Sequence, residues 1–237
     1  MKNIFKIVIF FILGIVGGIF ADQILWPYFV ERPLFYKYRL EQSPIYVTER
    51  KEIVVQENTA LISAIEKVEK AVVGIETKTP SQKTLEGSGL ILTSDGLIIT
   101  LSSLMPQGTI TDLYIENEKT SFKVLKKDTK SNLVLIKAEK NNLLTVSFAD
   151  LGKLKLGERV FLLGTEFKKE SIGKIVNEGI VKNFDEESIE TNISEKNTSA
   201  GSPLFDIEGN VLGLNTIDTS GKVISIPITK IKQFAGF

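Results

Sequence analysis

Two serines bracket an alanine in Asn-Thr-Ser-Ala-Gly-Ser-Pro-Leu at residues 197–204, and Lys196 stands directly before the stretch. A serine hydroxyl becomes a useful nucleophile only beside a base that takes its proton. The chain of 237 residues contains no histidine and no cysteine. A Ser-His-Asp mechanism is therefore closed to this chain by itself. Thiol nucleophiles, disulfides and cysteine metal sites are excluded as well. Ser199 or Ser202 with Lys196 as base stays open as chemistry, but the lysine would need burial to lose its proton near neutral pH. In a loop, serines and threonines more often satisfy nearby backbone groups.

The elements around this loop read as β-structure. From residue 71 onward, short apolar runs recur at 72–75, 89–92, 97–101, 113–115, 122–125 and 133–136. After a break at Asp150-Leu151-Gly152 they resume at 159–163, 175–181, 189–193, 211–215 and 223–226. Turns such as Ser94-Asp95-Gly96 and Glu208-Gly209-Asn210 separate neighbours. Many short strands with almost no helix indicate an all-β barrel or sandwich. The break divides them into two sets, which fits two small barrels in tandem. Before them, Asn58 or Thr59 caps a helix with Leu61, Ile62, Ile65 and Val68 on its apolar face.

The N-terminus is different. Lys2 and Lys6 precede an apolar run from Ile7 to Ala21, and Trp26 and Tyr28 follow as an interfacial belt. Counted from Ile4 to Leu25, the helix is long enough to cross a bilayer core of about 30 Å. Ile19 lies where a signal-peptidase site wants a small residue. Residues 1–29 are therefore read as an uncleaved transmembrane signal anchor, with a removed signal peptide as the alternative. The lysines before the span place the body of the protein outside the cytoplasm, at the cell membrane, as a single-pass protein. Gly14 and Gly18 give a GxxxG spacing, a weak signal for helix pairing. Residues 30–58, with Pro33 and Pro44, read as a juxtamembrane linker in which Ile53-Val54-Val55 adds one strand.

Charge is balanced at 29 basic and 29 acidic residues, and no basic patch with interleaved aromatics points to nucleic acid. Asp185-Glu186-Glu187 reads as a solvated turn, with a hard-cation site as the weaker alternative. Gly87-Ser88-Gly89 leads into a strand, unlike a phosphate loop. No cofactor and no metal site are expected.

Taken in order, several segments resemble the HtrA/Deg-type trypsin-like serine proteases. Residues 85–105, Leu-Glu-Gly-Ser-Gly-Leu-Ile-Leu-Thr-Ser-Asp-Gly-Leu-Ile-Ile-Thr-Leu-Ser-Ser-Leu-Met, resemble the first-barrel signature that ends in the catalytic histidine. Residues 128–137 resemble the segment that carries the aspartate. Residues 148–160 resemble the barrel linker. Residues 201–216 resemble the end of the nucleophile motif and its following hairpin, and 223–227 the next strand. The resemblance implies an all-β trypsin-like (chymotrypsin-fold) domain of tandem six-stranded β-barrels over 59–237, the first about 71–148 and the second about 149–237. It stops short of the peptide-binding PDZ domain that many members carry, so none is expected here.

The same resemblance places the histidine at Ser103, the aspartate at Asn132 and the nucleophile at Ala200. None of these residues can do the corresponding job. Thr198, Ser199 and Gly201 occupy the oxyanion-loop positions, and Thr198 stands where the family has glycine. Val223, Ile224 and Ser225 are expected as a peptide-binding strand. The functional expectation is a membrane-anchored pseudoprotease that binds peptide or protein or scaffolds an envelope complex. The alternatives are an active endopeptidase using a displaced serine and a purely structural envelope subunit. The resemblance also implies a homo-oligomer, a trimer.

Overall fold

The computed structural model describes residues 2–26, 59–169 and 171–237. The chain divides into two compact units, Met1–Val55 and Gln56–Phe237. In the first, helix α1 (Lys2–Phe20) continues into a π-helical turn, Ala21–Leu25. The stretch Lys6–Ile24 has 19 residues with a mean hydropathy of 2.3, long and apolar enough to cross a membrane. The helical run passes Asp22 and so reaches the length that the clean apolar run alone lacks. The whole of the expected linker, residues 30–58, with the strand at 53–55 and the Asn58 cap, lies outside the described residues.

The second unit opens with helix α2 (59–68). Leu61 and Ile65 pack against the core and Ala64 and Val68 are buried in it, whereas Ile62 is exposed. Positions 61, 64, 65 and 68 share one face at 3.6 residues per turn, and Ile62 is rotated off it. The expected face was therefore right except at Ile62, with Ala64 taking its place. A 3-10 turn, Glu69–Ala71, then feeds the first strand.

Seven antiparallel strands follow: β1 (Val72–Lys78), β2 (Thr84–Ile91), β3 (Leu97–Leu101), β4 (Ile110–Ile115), β5 (Glu118–Thr120), β6 (Phe122–Asp128) and β7 (Leu133–Ala138). Their order is β5-β4-β1-β2-β3-β7-β6. Only Ser121 separates the two outer strands, so the sheet curls until its ends are joined by one bent segment and forms a half-barrel. Six more strands, β8 (Arg159–Phe167), β9 (Ile172–Phe184), β10 (Ile189–Ser194), β11 (Pro203–Asp206), β12 (Val211–Ile217) and β13 (Lys222–Pro227), make a closed barrel in the order β10-β13-β12-β11-β8-β9. This is the all-β trypsin-like fold.

Three elements escaped the apolar pattern. β5 is Glu-Lys-Thr and carries no apolar residue, and β11 is only four residues long. Helix α3 (Ile228–Ala235) follows Pro227 and ends at Gly236, whose φ of 89° closes it in a left-handed cap. It buries Ile228 and Ile231.

The larger of two apolar clusters fills the first sheet and runs on into Phe161, Leu163, Phe205 and Leu214 of the second. Phe161 and Phe205 stack there at 5.2 Å between centroids. The smaller cluster fills the closed barrel. Burying each such large side chain contributes about 1.5–3 kcal/mol. The continuous core holds the two halves together, and with them the loops between.

Candidate active site

The histidine position is built by the end of β3. After Leu101 the backbone tightens into a 3-10 turn, Ser102–Leu104. Asn132 caps this turn. Its Oδ1 accepts the Ser103 N–H at 2.9 Å and the Ser102 hydroxyl at 2.9 Å, and its carbonyl accepts the Ser102 N–H at 3.1 Å. Asn132 sits at φ 55°, a left-handed conformation that asparagine tolerates better than most residues. The turn before it is set by Asp128, which accepts the Ser131 hydroxyl at 2.7 Å and the Lys130 N–H at 2.9 Å. Those bonds hold the Asp128 carboxyl below its ordinary range, the Ser131 hydroxyl most of all. Ser103 and Asn132 are thus neighbours, joined through the main chain. Ser103 itself is exposed, and a serine hydroxyl in water has no basicity near neutral pH.

The nucleophile position lies on a loop gripped from both halves. Asn197–Ser199 form a 3-10 turn. The Ala200 carbonyl accepts the Ser88 N–H of β2 at 2.9 Å, and the Gly201 N–H donates to the Asn215 carbonyl of β12 at 2.8 Å. Gly201 takes φ 77°, and a Cβ there would sit 2.2 Å from the Ser88 carbonyl. At Gly87 a Cβ would meet the Ala200 carbonyl at 2.6 Å. Both glycines are therefore dictated by close backbone approach. Leu104, next to Ser103, brings its Cδ1 to 3.1 Å from the same point on Gly201. Ser103, Asn132 and Ala200 thus sit on elements that touch one another.

Beneath the loop, the Ser88 hydroxyl accepts the Thr165 N–H at 2.9 Å, and the Thr165 hydroxyl donates to the Gly87 carbonyl at 2.9 Å. The Asn215 amide donates to the Ser202 hydroxyl at 3.1 Å, and the Ser225 hydroxyl donates to Asn215 Oδ1. These buried polar groups fix the loop against β2, β8, β12 and β13.

The flanking serines do not face solvent. Ser199 is 1% exposed and its hydroxyl donates to Glu195 at 3.3 Å; Ser202 is 0% exposed. Lys196 is exposed, so the burial that would make it a base is absent. The Ala200 N–H donates to the Asn197 carbonyl at 3.1 Å, which turns it into the loop. Thr198 is not among the positive-φ residues. An oxyanion hole needs such amides free and aimed outward.

One expected site residue set is corrected. β13 pairs with β12 on one side and with β10 on the other. Ile224 and Ser225 are paired on both edges, and Lys222 beyond Val223 is paired with β10 as well, so the segment Val223–Ser225 offers no open edge for an added strand. Val223 and Ser225 are buried, and Ser225 serves the Asn215 network instead. The sequence reading missed Asn215, although a polar residue inside the apolar run Val-Leu-Gly-Leu-Asn was a readable sign of a buried hydrogen-bonding role. It also missed the Glu195 carboxylate, which accepts the Asn177 amide at 2.7 Å as well as Ser199. Asp185 lies in a turn and accepts the Ser188 and Glu187 N–H groups. Among the described residues no cluster of three or more acidic side chains is arranged to hold a metal ion.

Residues 87–214 match the Trypsin-like peptidase domain family, a span that contains Ser103, Asn132 and Ala200. Serine protease HTRA1A of Danio rerio is 29% identical over 197 residues, covering 73% of this chain and 40% of the relative. Serine protease HTRA4 of Mus musculus is 30% identical over 197 residues, with the same two shares. A probable periplasmic serine endoprotease DegP-like of Bartonella henselae is 28% identical over 180 residues, covering 65% of this chain and 35% of the relative. The chain thus spans well under half the length of these relatives. With the domain family matched over more than half of its residues and the trypsin-like fold around them, the chain belongs to the HtrA/Deg-type trypsin-like serine protease family.

Proposed function

We propose that this protein is a catalytically inactive member of its family, held at the membrane by α1, which binds an extended segment of a partner protein without cleaving it. The observation that carries this reading is the composition of the site: Ala200 stands on the gripped loop, with Ser103 and Asn132 beside it. Alanine supplies no nucleophile, and no histidine exists anywhere in the chain. Binding of peptide backbone by strand addition needs no triad.

Among the described residues, a short unpaired edge of β12 lies next to the loop. β12 pairs with β11 only from Val211 to Leu214, and Asn215 is taken by Gly201 and Ser202. Thr216 and Ile217 run on beyond that pairing. β-addition to this edge replaces the binding strand first expected at Val223–Ser225. The lysines before the helix favour an extracytoplasmic domain, as does the periplasmic description of the DegP-like relative. The test is a polarisation titration of the full chain in detergent with fluorescein-labelled unfolded casein, run beside gel analysis of the same samples. Saturable binding with intact casein supports the reading. Casein fragments, or no binding, contradict it.

A further inference from the structure

A cleft of about 680 Å³ lies between the first sheet and the β8–β9 hairpin, lined by Glu76, Glu86, Tyr114, Phe167, Lys168 and Ile172 among others. Glu86 precedes Gly87 in β2; the Cβ side of Gly87 faces the Ala200 carbonyl, so the Glu86 side chain points to the opposite face of the strand, toward the cleft. One wall is aromatic: Tyr114 and Phe167 meet edge to face with centroids 5.7 Å apart. Gly74 leaves room for that pair, since a Cβ there would come within 3.0 Å of the Phe167 ring.

The strand register sets carboxylates along the floor. Asp112 of β4 lies opposite Glu76 of β1, and Glu76 lies opposite Glu86 of β2. Like charges directly opposite one another across antiparallel strands are destabilising. Asp112 is balanced by Lys119 at 2.8 Å, whereas Lys78 is 4.0 Å from Glu76 and mostly exposed. Among the described residues, no cation or hydrogen-bond donor reaches the Glu86 carboxylate. Burial and the neighbouring Glu76 push the Glu86 carboxyl above its ordinary value. At the rim, Lys168 is drawn to Glu166 at 3.0 Å, and Lys169 is exposed on the β8–β9 hairpin. The pocket therefore combines an aromatic wall with a carboxylate that has no cation or donor on it among the described residues.

We infer that this cleft receives an arginine side chain of the bound segment, its guanidinium between Glu76 and Glu86 and its plane against Tyr114 and Phe167. Arginine fits better than lysine because a planar fork both pairs with carboxylate and stacks on an aromatic ring. The inference rests on the proposed peptide-binding function and adds the chemistry of the residue recognised.

The test is a polarisation titration of the full chain in detergent with two fluorescein-labelled peptides, Ala-Ala-Ala-Arg-Ala-Ala and its glutamine counterpart. The arginine peptide is expected to bind about tenfold more tightly at low salt, a difference of about 1.4 kcal/mol. Glu86→Gln is expected to bring the ratio within about twofold. The same variant is expected to melt no lower than the wild type, since it relieves repulsion; that separates lost recognition from lost folding. Lys123→Gln, outside the cleft, is expected to leave the ratio unchanged. Equal binding of both peptides, or a ratio that survives Glu86→Gln, overturns this inference and leaves peptide binding standing. Binding of neither peptide overturns both.

Discussion

Asn132 Oδ1 accepts the backbone N–H of Ser103 at 2.9 Å, so the two positions expected from the sequence for an aspartate and a histidine meet. The contact is structural here. It closes the open end of the Ser102–Leu104 turn and fixes the path of the chain into the site.

Asn132→Ala removes that cap and places a Cβ-only residue in a left-handed conformation. The expected loss is about 2 kcal/mol, from one cap and one unfavourable backbone state. Asn132→Asp keeps the acceptor and is expected to stay within about 0.5 kcal/mol of the wild type. Urea midpoints measure both. Equal loss in the two variants would show that the amide, not the acceptor oxygen, is what matters.

Gly201→Ala brings a Cβ against the Ser88 carbonyl at a backbone angle that L-residues avoid. The expected destabilisation is about 3 kcal/mol. Gly108→Ala shares a positive φ but meets nothing within 4 Å, and is expected to cost about 1 kcal/mol. Similar costs at the two sites would contradict the close packing of the loop on β2.

Lys174 is exposed along its stem, and its ammonium reaches β1, where it donates to the Val72 carbonyl at 2.6 Å. Burial pushes its pKa down to about 8, against a smaller pull upward from Glu69. The unfolded chain, with lysine near 10.4, binds more protons between pH 8 and 10.4. Stability therefore rises with pH through that window, and the deficit is complete below pH 8. Measured against Lys174→Met by urea unfolding at pH 7 and pH 10.5, the wild type is expected to gain stability on the variant, by about 1 kcal/mol, because much of the side chain is exposed and solvent screens the charge. A flat or falling difference would mean that the lysine is solvated.

The sequence made the fold legible because most strands are apolar runs with turn residues between them. β5 was invisible because Glu118, Lys119 and Thr120 pair without burying an apolar side chain. β11 was hidden by its length. Ser103, Asn132 and Ala200 were placed by spacing within their motifs, and the structure sets the elements that carry them side by side. The strand Val223–Ser225 was misjudged because spacing names a strand but not which of its edges is already paired. The Glu76–Glu86 juxtaposition depends on register between two strands, which no local pattern records. The burial of Ser199 depends likewise on how the loop turns.

The central claim is the loss of catalysis. The most direct measurement is turnover of fluorescent casein by the purified full chain, with Ser199→Ala and Ser202→Ala prepared in parallel. The expected result is a rate equal to the buffer blank for all three proteins. Turnover by the wild type that disappears in either serine variant would contradict it.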